Sequence, residues 1–271
     1  MTNETGTLET NGARIYYEVE GSGPPVVLIH AGVANLRMWD DQVPALRDAY
    51  RVIRYDTRGY GRTETDAVEF SNRADIAALL DHLGEESAHV VGFSRSGSIA
   101  IDFALEYPDR IRSLVVGAGG ISGYQSPDAS PEEDFEAEEK LYESKDWEGL
   151  ANWEADYWGN GPGQPADRVP EVRAKIYDWE LTNYRAGKEE GKPQVLDPPA
   201  AGRLGELKVP LLVILGTLDE PGTSGSMRHL AEAVPHARLE VFEGVAHMLN
   251  LERPGRFNAL LREFLDGVPA R

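Results

Sequence analysis

The chain contains no cysteine and little positive charge. Without cysteine there is no disulfide, no thiol nucleophile and no thiolate metal site, which fits a reducing compartment. Lysine and arginine number 27 against 46 aspartates and glutamates, a net charge of −19 at pH 7. A surface of that sign repels phosphate backbones, so nucleic acid is excluded as a partner. No apolar run approaches the roughly 20 residues needed to cross a bilayer. Met1 to Asn11 is polar and lacks the basic-then-apolar order of a signal peptide. The expectation is a cytoplasmic protein with no membrane partner. Histidine is scarce, with six in 271 residues, and no pair has metal-ligand spacing. The carboxylates are not arranged like a calcium loop, and Gly117-Ala118-Gly119-Gly120 lacks the spacing of a dinucleotide loop. No metal and no cofactor is expected.

What is present is a strand running into a serine. Val90-Val91-Gly92-Phe93-Ser94-Arg95-Ser96-Gly97 leads from an apolar strand directly into an apolar-periodic helix, Ser98 to Tyr107. This is the pattern of a nucleophile elbow, a turn sharp enough to strain the serine backbone and expose its hydroxyl above the sheet. Side chains two before and two after the serine would collide there. Gly92 meets the first need, Ser96 meets the second less well than glycine, and Gly97 lets the helix lie close to the strand. Short glycine–serine turns also arise by chance, so the motif needs partners.

A serine hydroxyl needs a histidine base and an acid to orient it, and after an elbow these follow in the order Ser, Asp or Glu, His. Val209 to Gly216 reads as a buried parallel strand ending in Thr217-Leu218-Asp219-Glu220. That puts Asp219 at the strand's C-terminal end, where open α/β sheets build their sites. Glu220 is the rival acid, but Pro221 follows it and ends the turn. Ala237 to Phe242 alternates like a strand and gives way to Gly244-Val245-Ala246-His247. Of the six histidines only His247 follows Asp219 in a glycine-bearing loop between strand and helix. Ser94, Asp219 and His247 are therefore the candidate triad. Two backbone N–H groups should receive the developing oxyanion. One is that of Arg95, after the nucleophile. The other comes from His30-Ala31-Gly32-Val33, after the buried strand Pro25 to Ile29. Position favours Gly32 over Val33, and His30 is expected to hold the loop rather than to catalyse.

Strands at Gly12–Glu20, 26–29, 51–55, 88–93 and 111–116 alternate with helices at 37–49 and 71–83, which implies a doubly wound, mostly parallel sheet of the eight-stranded type, an α/β fold. The alternation stops at Ile121. Residues 121–205 hold four of the five tryptophans, 19 acidic and 9 basic residues, and no convincing strand. Helices are expected at 134–150, 153–158 and 170–184. Eighty-odd residues is too long for a structureless loop. The expected division is a core of residues 1–120 and 206–271 with a helical lid inserted at 121–205. The aromatics there serve as lid core or as walls of a substrate pocket.

The chain resembles the α/β-hydrolase superfamily, in the compact branch that includes carboxylesterases, enol-lactonases, cofactor-free haloperoxidases and carbon–carbon-bond hydrolases. The resemblance covers nearly the whole chain. It rests on the elbow, on Leu28 to Gly32 with Arg37-Met38-Trp39-Asp40, on the D-x-R-G-x-G segment Asp56 to Gly61, and on His247 to Pro254. Ala31 and Ser96 depart from it, each small where glycine is common. The resemblance implies a serine hydrolase acting on a small, mostly neutral ester or lactone. Aminopeptidase or carbon–carbon hydrolase chemistry stays open on the same fold, as does a non-catalytic ligand-binding protein that retains the triad. Dehalogenase and epoxide hydrolase relatives carry aspartate where this chain has Ser94. Oligomeric state is left open.

Overall fold

The computed structural model describes residues 3–269; the expected core boundaries at residues 1 and 271 lie outside them. The main sheet contains β1 (Asn3–Thr10), β2 (Ala13–Glu20), β3 (Pro25–Ile29), β4 (Arg51–Tyr55), β5 (Ala88–Phe93), β6 (Ile111–Gly117), β7 (Leu211–Gly216) and β8 (Arg238–Phe242), in the spatial order β1-β2-β4-β3-β5-β6-β7-β8. A two-residue strand, Glu64–Thr65, adds to β2. From β4 to β8 every pairing is parallel, while β1 and β2 pair antiparallel with each other and β2 with β4. The parallel strands are buried on both faces, which is why 26–29, 88–93 and 211–216 read as unbroken apolar runs. Two apolar clusters cover the two faces. One is built around α1 (Asn72–Leu83) and α2 (Arg95–Glu106), the other around the C-terminal helix Pro254–Asp266.

β1 was not anticipated, because its sequence is polar. Its hairpin partner fixes it: Thr10 pairs with Ala13, and Asn11-Gly12 forms the two-residue turn, with φ of 33° and 70°. Asn-Gly suits that turn because both central residues must adopt positive φ.

The helix expected over 37–49 is instead a 3₁₀ turn, Leu36–Trp39, and a single α-helical turn, Val43–Leu46. Pro44 lacks the N–H that a continuous helix would aim at the carbonyl of Asp40. Asn35 caps the first turn, accepting from Arg37 N at 2.9 Å. Helix 71–83 matches expectation, with Ser71 as N-cap and Gly84 in the left-handed conformation at its end.

Between β6 and β7 lie α3 (Glu136–Ser144), α4 (Trp147–Glu154), a π-helical turn Ala155–Asn160, and α5 (Pro170–Ala186). The single helix expected at 134–150 is broken at Lys145, which takes the left-handed conformation. The Asp146 carboxylate then restarts the chain as the cap of α4, accepting from Gly149 N at 3.0 Å. One short strand does occur in the stretch: Lys192–Pro193 pairs with Glu69–Phe70. Among the described residues no helix is long and apolar enough to cross a membrane.

Candidate active site

Each of the three sequence-derived side chains stands at the C-terminal edge of the parallel sheet. Ser94 follows β5 with φ 56° and ψ −126°, a strained backbone for a residue with a side chain. Steric crowding enforces the turn. A Cβ on Gly92 would stand 2.2 Å from the Ser96 carbonyl oxygen and 2.6 Å from the Ala100 Cβ. A Cβ on Gly97 would stand 2.8 Å from Gly119 Cα and 3.0 Å from a Val116 methyl, so α2 lies close on β6. Ser96 is accommodated by burial with a hydrogen bond, its hydroxyl donating to the His30 carbonyl at 2.6 Å.

Asp219 lies in the turn after β7 and His247 in the loop after β8. The Ser94 hydroxyl donates to His247 Nε2 at 2.7 Å, and His247 Nδ1–H donates to the Asp219 carboxylate, 2.9 and 3.0 Å from its two oxygens. This assignment of the imidazole proton follows from the partners, since the other tautomer would aim a lone pair at a carboxylate. Asp219 is steadied by Glu220 N–H, which donates to Oδ1 at 2.7 Å. The residues around His247 are also tied down: Glu252 accepts from Ala246 N at 3.1 Å and from both Arg168 Nη atoms at 2.7 Å.

Glu220 is occupied elsewhere. Its carboxylate accepts from Gly222 N (2.8 Å), Thr223 N (2.6 Å) and Ser130 N (2.8 Å), capping α6 (Pro221–Ala233) and fastening the segment after β6. Burial pushes this carboxyl up, but the three backbone donors outweigh it and hold it below the ordinary range. Geometry thus brings Asp219, not Glu220, to the histidine.

Gly32 and Arg95 meet: a Cβ on Gly32 would lie 3.7 Å from Arg95 Cβ and 3.9 Å from the Tyr60 hydroxyl. Arg95 occupies the first position of α2, where a backbone N–H has no acceptor within the helix. Val33 turns into the apolar cluster with Ala31 and Ala34. His30 holds the loop, as expected. Its Nδ1–H donates to Ala31 O at 2.7 Å, its Nε2 accepts from Thr57 N at 3.0 Å, and complete burial pushes its pKa down to about 3.

Four neighbouring contacts escaped the sequence reading. The indole of Trp158, on the π-helical turn, lies over the His247 ring with centroids 4.6 Å apart. The Arg95 guanidinium donates to Thr57 Oγ1 and to Glu190 Oε1, each at 2.7 Å, and stacks 4.7 Å from the Tyr60 ring centroid. Lone tryptophans and a charge pair 95 residues apart leave no local pattern; only the position of Arg95 beside Ser94 drew notice. Among the described residues no group of three or more His, Asp or Glu side chains is placed to hold a metal ion.

A family model described as the alpha/beta hydrolase fold matches residues 24–155. A 2-hydroxy-6-oxononadienedioate/2-hydroxy-6-oxononatrienedioate hydrolase of Paraburkholderia phymatum is 30% identical over 270 residues, spanning 93% of this chain and 91% of that one. The chain belongs to the α/β-hydrolase family. Within it, 3-oxoadipate enol-lactonase 2 of Acinetobacter baylyi is 28% identical, covering 93% of each chain. The crystal structure of the enol-lactonase from Burkholderia xenovorans LB400 superposes with a TM-score of 0.75 at 28% identity, covering 94% of this chain and 98% of that one. Fold and enzyme class agree with the sequence reading: this is an α/β-fold hydrolase, a class whose relatives act on small molecules.

Proposed function

We propose that this α/β-hydrolase is a serine hydrolase cleaving a small, mostly neutral carboxylic ester or lactone, with Ser94, His247 and Asp219 as its triad. The observation that carries the reading is the continuous chain Ser94 Oγ–His247 Nε2 at 2.7 Å and His247 Nδ1–Asp219 at 2.9 Å. Ser94 Oγ attacks the carbonyl carbon while His247 takes its proton. The carbonyl oxygen becomes an oxyanion held by the backbone N–H groups of Gly32 and Arg95. His247 then passes the proton to the leaving oxygen, and the acyl group remains on Ser94. Water, deprotonated by His247, hydrolyses that ester and restores the serine. Asp219 keeps the imidazole in the productive tautomer and offsets the charge of the transient imidazolium. Residues 121–205 act as a lid over this site; Trp158 and Glu190, both in that stretch, touch His247 and Arg95.

A second reading, carbon–carbon-bond hydrolysis, is favoured by the 30% identity to the dioate hydrolase. The test is turnover of p-nitrophenyl acetate and butyrate, a simple lactone and a vinylogous 1,5-diketone by the wild type and Ser94→Ala. The expected result is ester or lactone turnover that falls by about 10⁴-fold or more in Ser94→Ala, since triad members act as a unit. Diketone cleavage alone would establish the second reading. Ester turnover that survives Ser94→Ala, or none on any substrate, would overturn the assignment.

A further inference from the structure

Two carboxyls between β6 and β7 are buried with no cation beside them. Glu154, the last residue of α4, is 6% exposed, and Glu180, in α5, is 4% exposed. Among the described residues neither makes an ion pair. Glu154 Oε1 accepts from the Tyr184 hydroxyl at 2.7 Å, its Oε2 is buried without a donor, and the Glu180 carboxyl lies beside it. Glu180 accepts a long bond from Asn183 Nδ2, 3.4 Å, and lies beside the same Tyr184 hydroxyl. Two carboxylates in contact, out of water, cannot both keep their charge. The arrangement requires a shared proton or a cation brought from outside.

The surroundings favour a particular cation. Glu180 forms part of the wall of a cavity of about 350 Å³ with Tyr60, Tyr142, Trp147, Tyr184 and Glu190. Trp147 and Tyr184 stack at 5.3 Å, and Tyr142 stands edge-on to Trp147 at 5.9 Å. The cavity's own cation, Lys188, is directed away, donating to the carbonyls of Gly61 and Thr63. Aromatic faces attract soft organic cations, and among the described residues no three His, Asp or Glu side chains converge to hold a metal ion. An anion would meet Glu180 and Glu190. The Tyr60 hydroxyl on this wall reaches within 3.9 Å of where a Cβ on Gly32 would stand, so the cavity backs onto the Gly32 loop beside the Ser94 site.

We propose that this cavity is a subsite for an organic ammonium group, held by Glu180 on its wall, with Glu154 behind it, and by the rings of Trp147 and Tyr184. That the ammonium belongs to the substrate rests on the serine-hydrolase reading; the binding does not. Seating the cation displaces the proton shared by the pair, and the proton leaves to solvent. The other titratable or charged groups facing the pair are Glu138 from α3, Tyr184 from α5, and Tyr60 with Arg95 across the cavity.

The probes are choline and 3,3-dimethylbutan-1-ol, which share shape but not charge, titrated calorimetrically against the whole chain at pH 8. Choline should bind at least 10-fold more tightly. Glu154→Gln/Glu180→Gln keeps size and hydrogen-bonding capacity, is checked for folding by its melting curve, and should abolish the preference. Trp147→Leu should weaken choline several-fold. If the double variant does not fold, the wild type at pH 5.5 decides in its place: protonation of the pair should weaken choline 10-fold or more there. Equal binding of the two probes, no binding of choline, or a preference that survives the double substitution would overturn the proposal. Because binding is read without turnover, a negative result leaves the ester reading standing, and an inactive enzyme that binds choline leaves the subsite standing.

Discussion

The Trp158 indole covers the imidazole of His247, ring centroids 4.6 Å apart and planes tilted by 49°, while Phe93 meets the same ring edge-on at 6.2 Å. The histidine is 2% exposed as a result. In the proposed mechanism this imidazole becomes positive during turnover, and an aromatic face against it would favour that charge by about 0.5–2 kcal/mol. On that proposal Trp158 is a positioning residue for His247.

Trp158→Ala should lower kcat by about 10-fold, in line with a loss of roughly 1.4 kcal/mol. Trp158→Phe should recover most of it. Steady-state kinetics on one p-nitrophenyl ester provide the check. A fall in kcat with little change in KM is expected, because the ring acts on the histidine. A change confined to KM would place the indole against the substrate instead.

The acid can be separated from its neighbour. Asp219→Asn should preserve shape while favouring the wrong imidazole tautomer, with a loss of about 10⁴ in kcat, the size found in the best-studied triad. Glu220→Gln should retain most activity and lose stability instead, since it weakens a carboxylate that accepts three backbone N–H groups. A cap of this kind contributes about 1 kcal/mol, or a fall of roughly 2–4 °C in Tm at this chain length. Equal kinetic losses in the two variants would reverse the assignment.

The parts of this architecture that obey local rules are legible in the residues. Buried parallel strands announce themselves as apolar runs, and Ser94, Asp219 and His247, which the structure brings together, follow strands in a fixed order. The Asn11-Gly12 turn was equally local, yet the polar composition of 3–10 masked a strand that owes its place to pairing with β2. The break at Lys145 carries no glycine or proline to mark it; the capping strength of Asp146 decides it. Contacts such as Trp158 on His247 and Arg95 with Glu190 join segments far apart in sequence. They depend on how the helices between β6 and β7 pack, and no periodicity encodes them.

The buried acid pair sets a pH dependence of stability. Burial pushes Glu154 up to about 7, and burial together with the Glu154 charge pushes Glu180 well above its ordinary value. The folded state therefore binds more protons than the unfolded chain between the ordinary carboxylate range, near 4.5, and about 7. Stabilisation from Glu154 is complete below that range and is lost as pH rises through it, and the contribution of Glu180, raised well above its ordinary value, is lost as pH rises further. Scanning calorimetry should show the wild-type Tm falling by several degrees relative to Glu154→Gln/Glu180→Gln between pH 5 and pH 7.5. Parallel curves for the two proteins would mean that the pair ionises without cost.

Substrate charge gives the last prediction. The chain's −19 charge, with 10 of the excess acids between residues 121 and 205, disfavours approach of anions. Arg95, beside the nucleophile, is the cation that could reverse this locally, but Glu190 and Thr57 occupy two of its nitrogens. Its Nε is buried without a partner, so the guanidinium retains capacity for a second acceptor once Glu190 is removed. Neutral short esters should therefore be turned over with higher kcat/KM than carboxylate-bearing esters of equal size. Added salt should narrow the gap, since surface charge acts only over about 8–10 Å at ordinary ionic strength. Glu190→Gln deletes one negative charge and frees a bidentate-capable cation near the reacting carbonyl. It should raise kcat/KM for the anionic ester by about 10-fold and leave the neutral ester within about 2-fold, an effect of roughly 1.4 kcal/mol. The measurement is the ratio of the two kcat/KM values in wild type and variant at low and high salt. An anionic preference already present in the wild type would show that Arg95 outcompetes Glu190 unaided, and an unchanged ratio in Glu190→Gln would show that its guanidinium does not face the substrate.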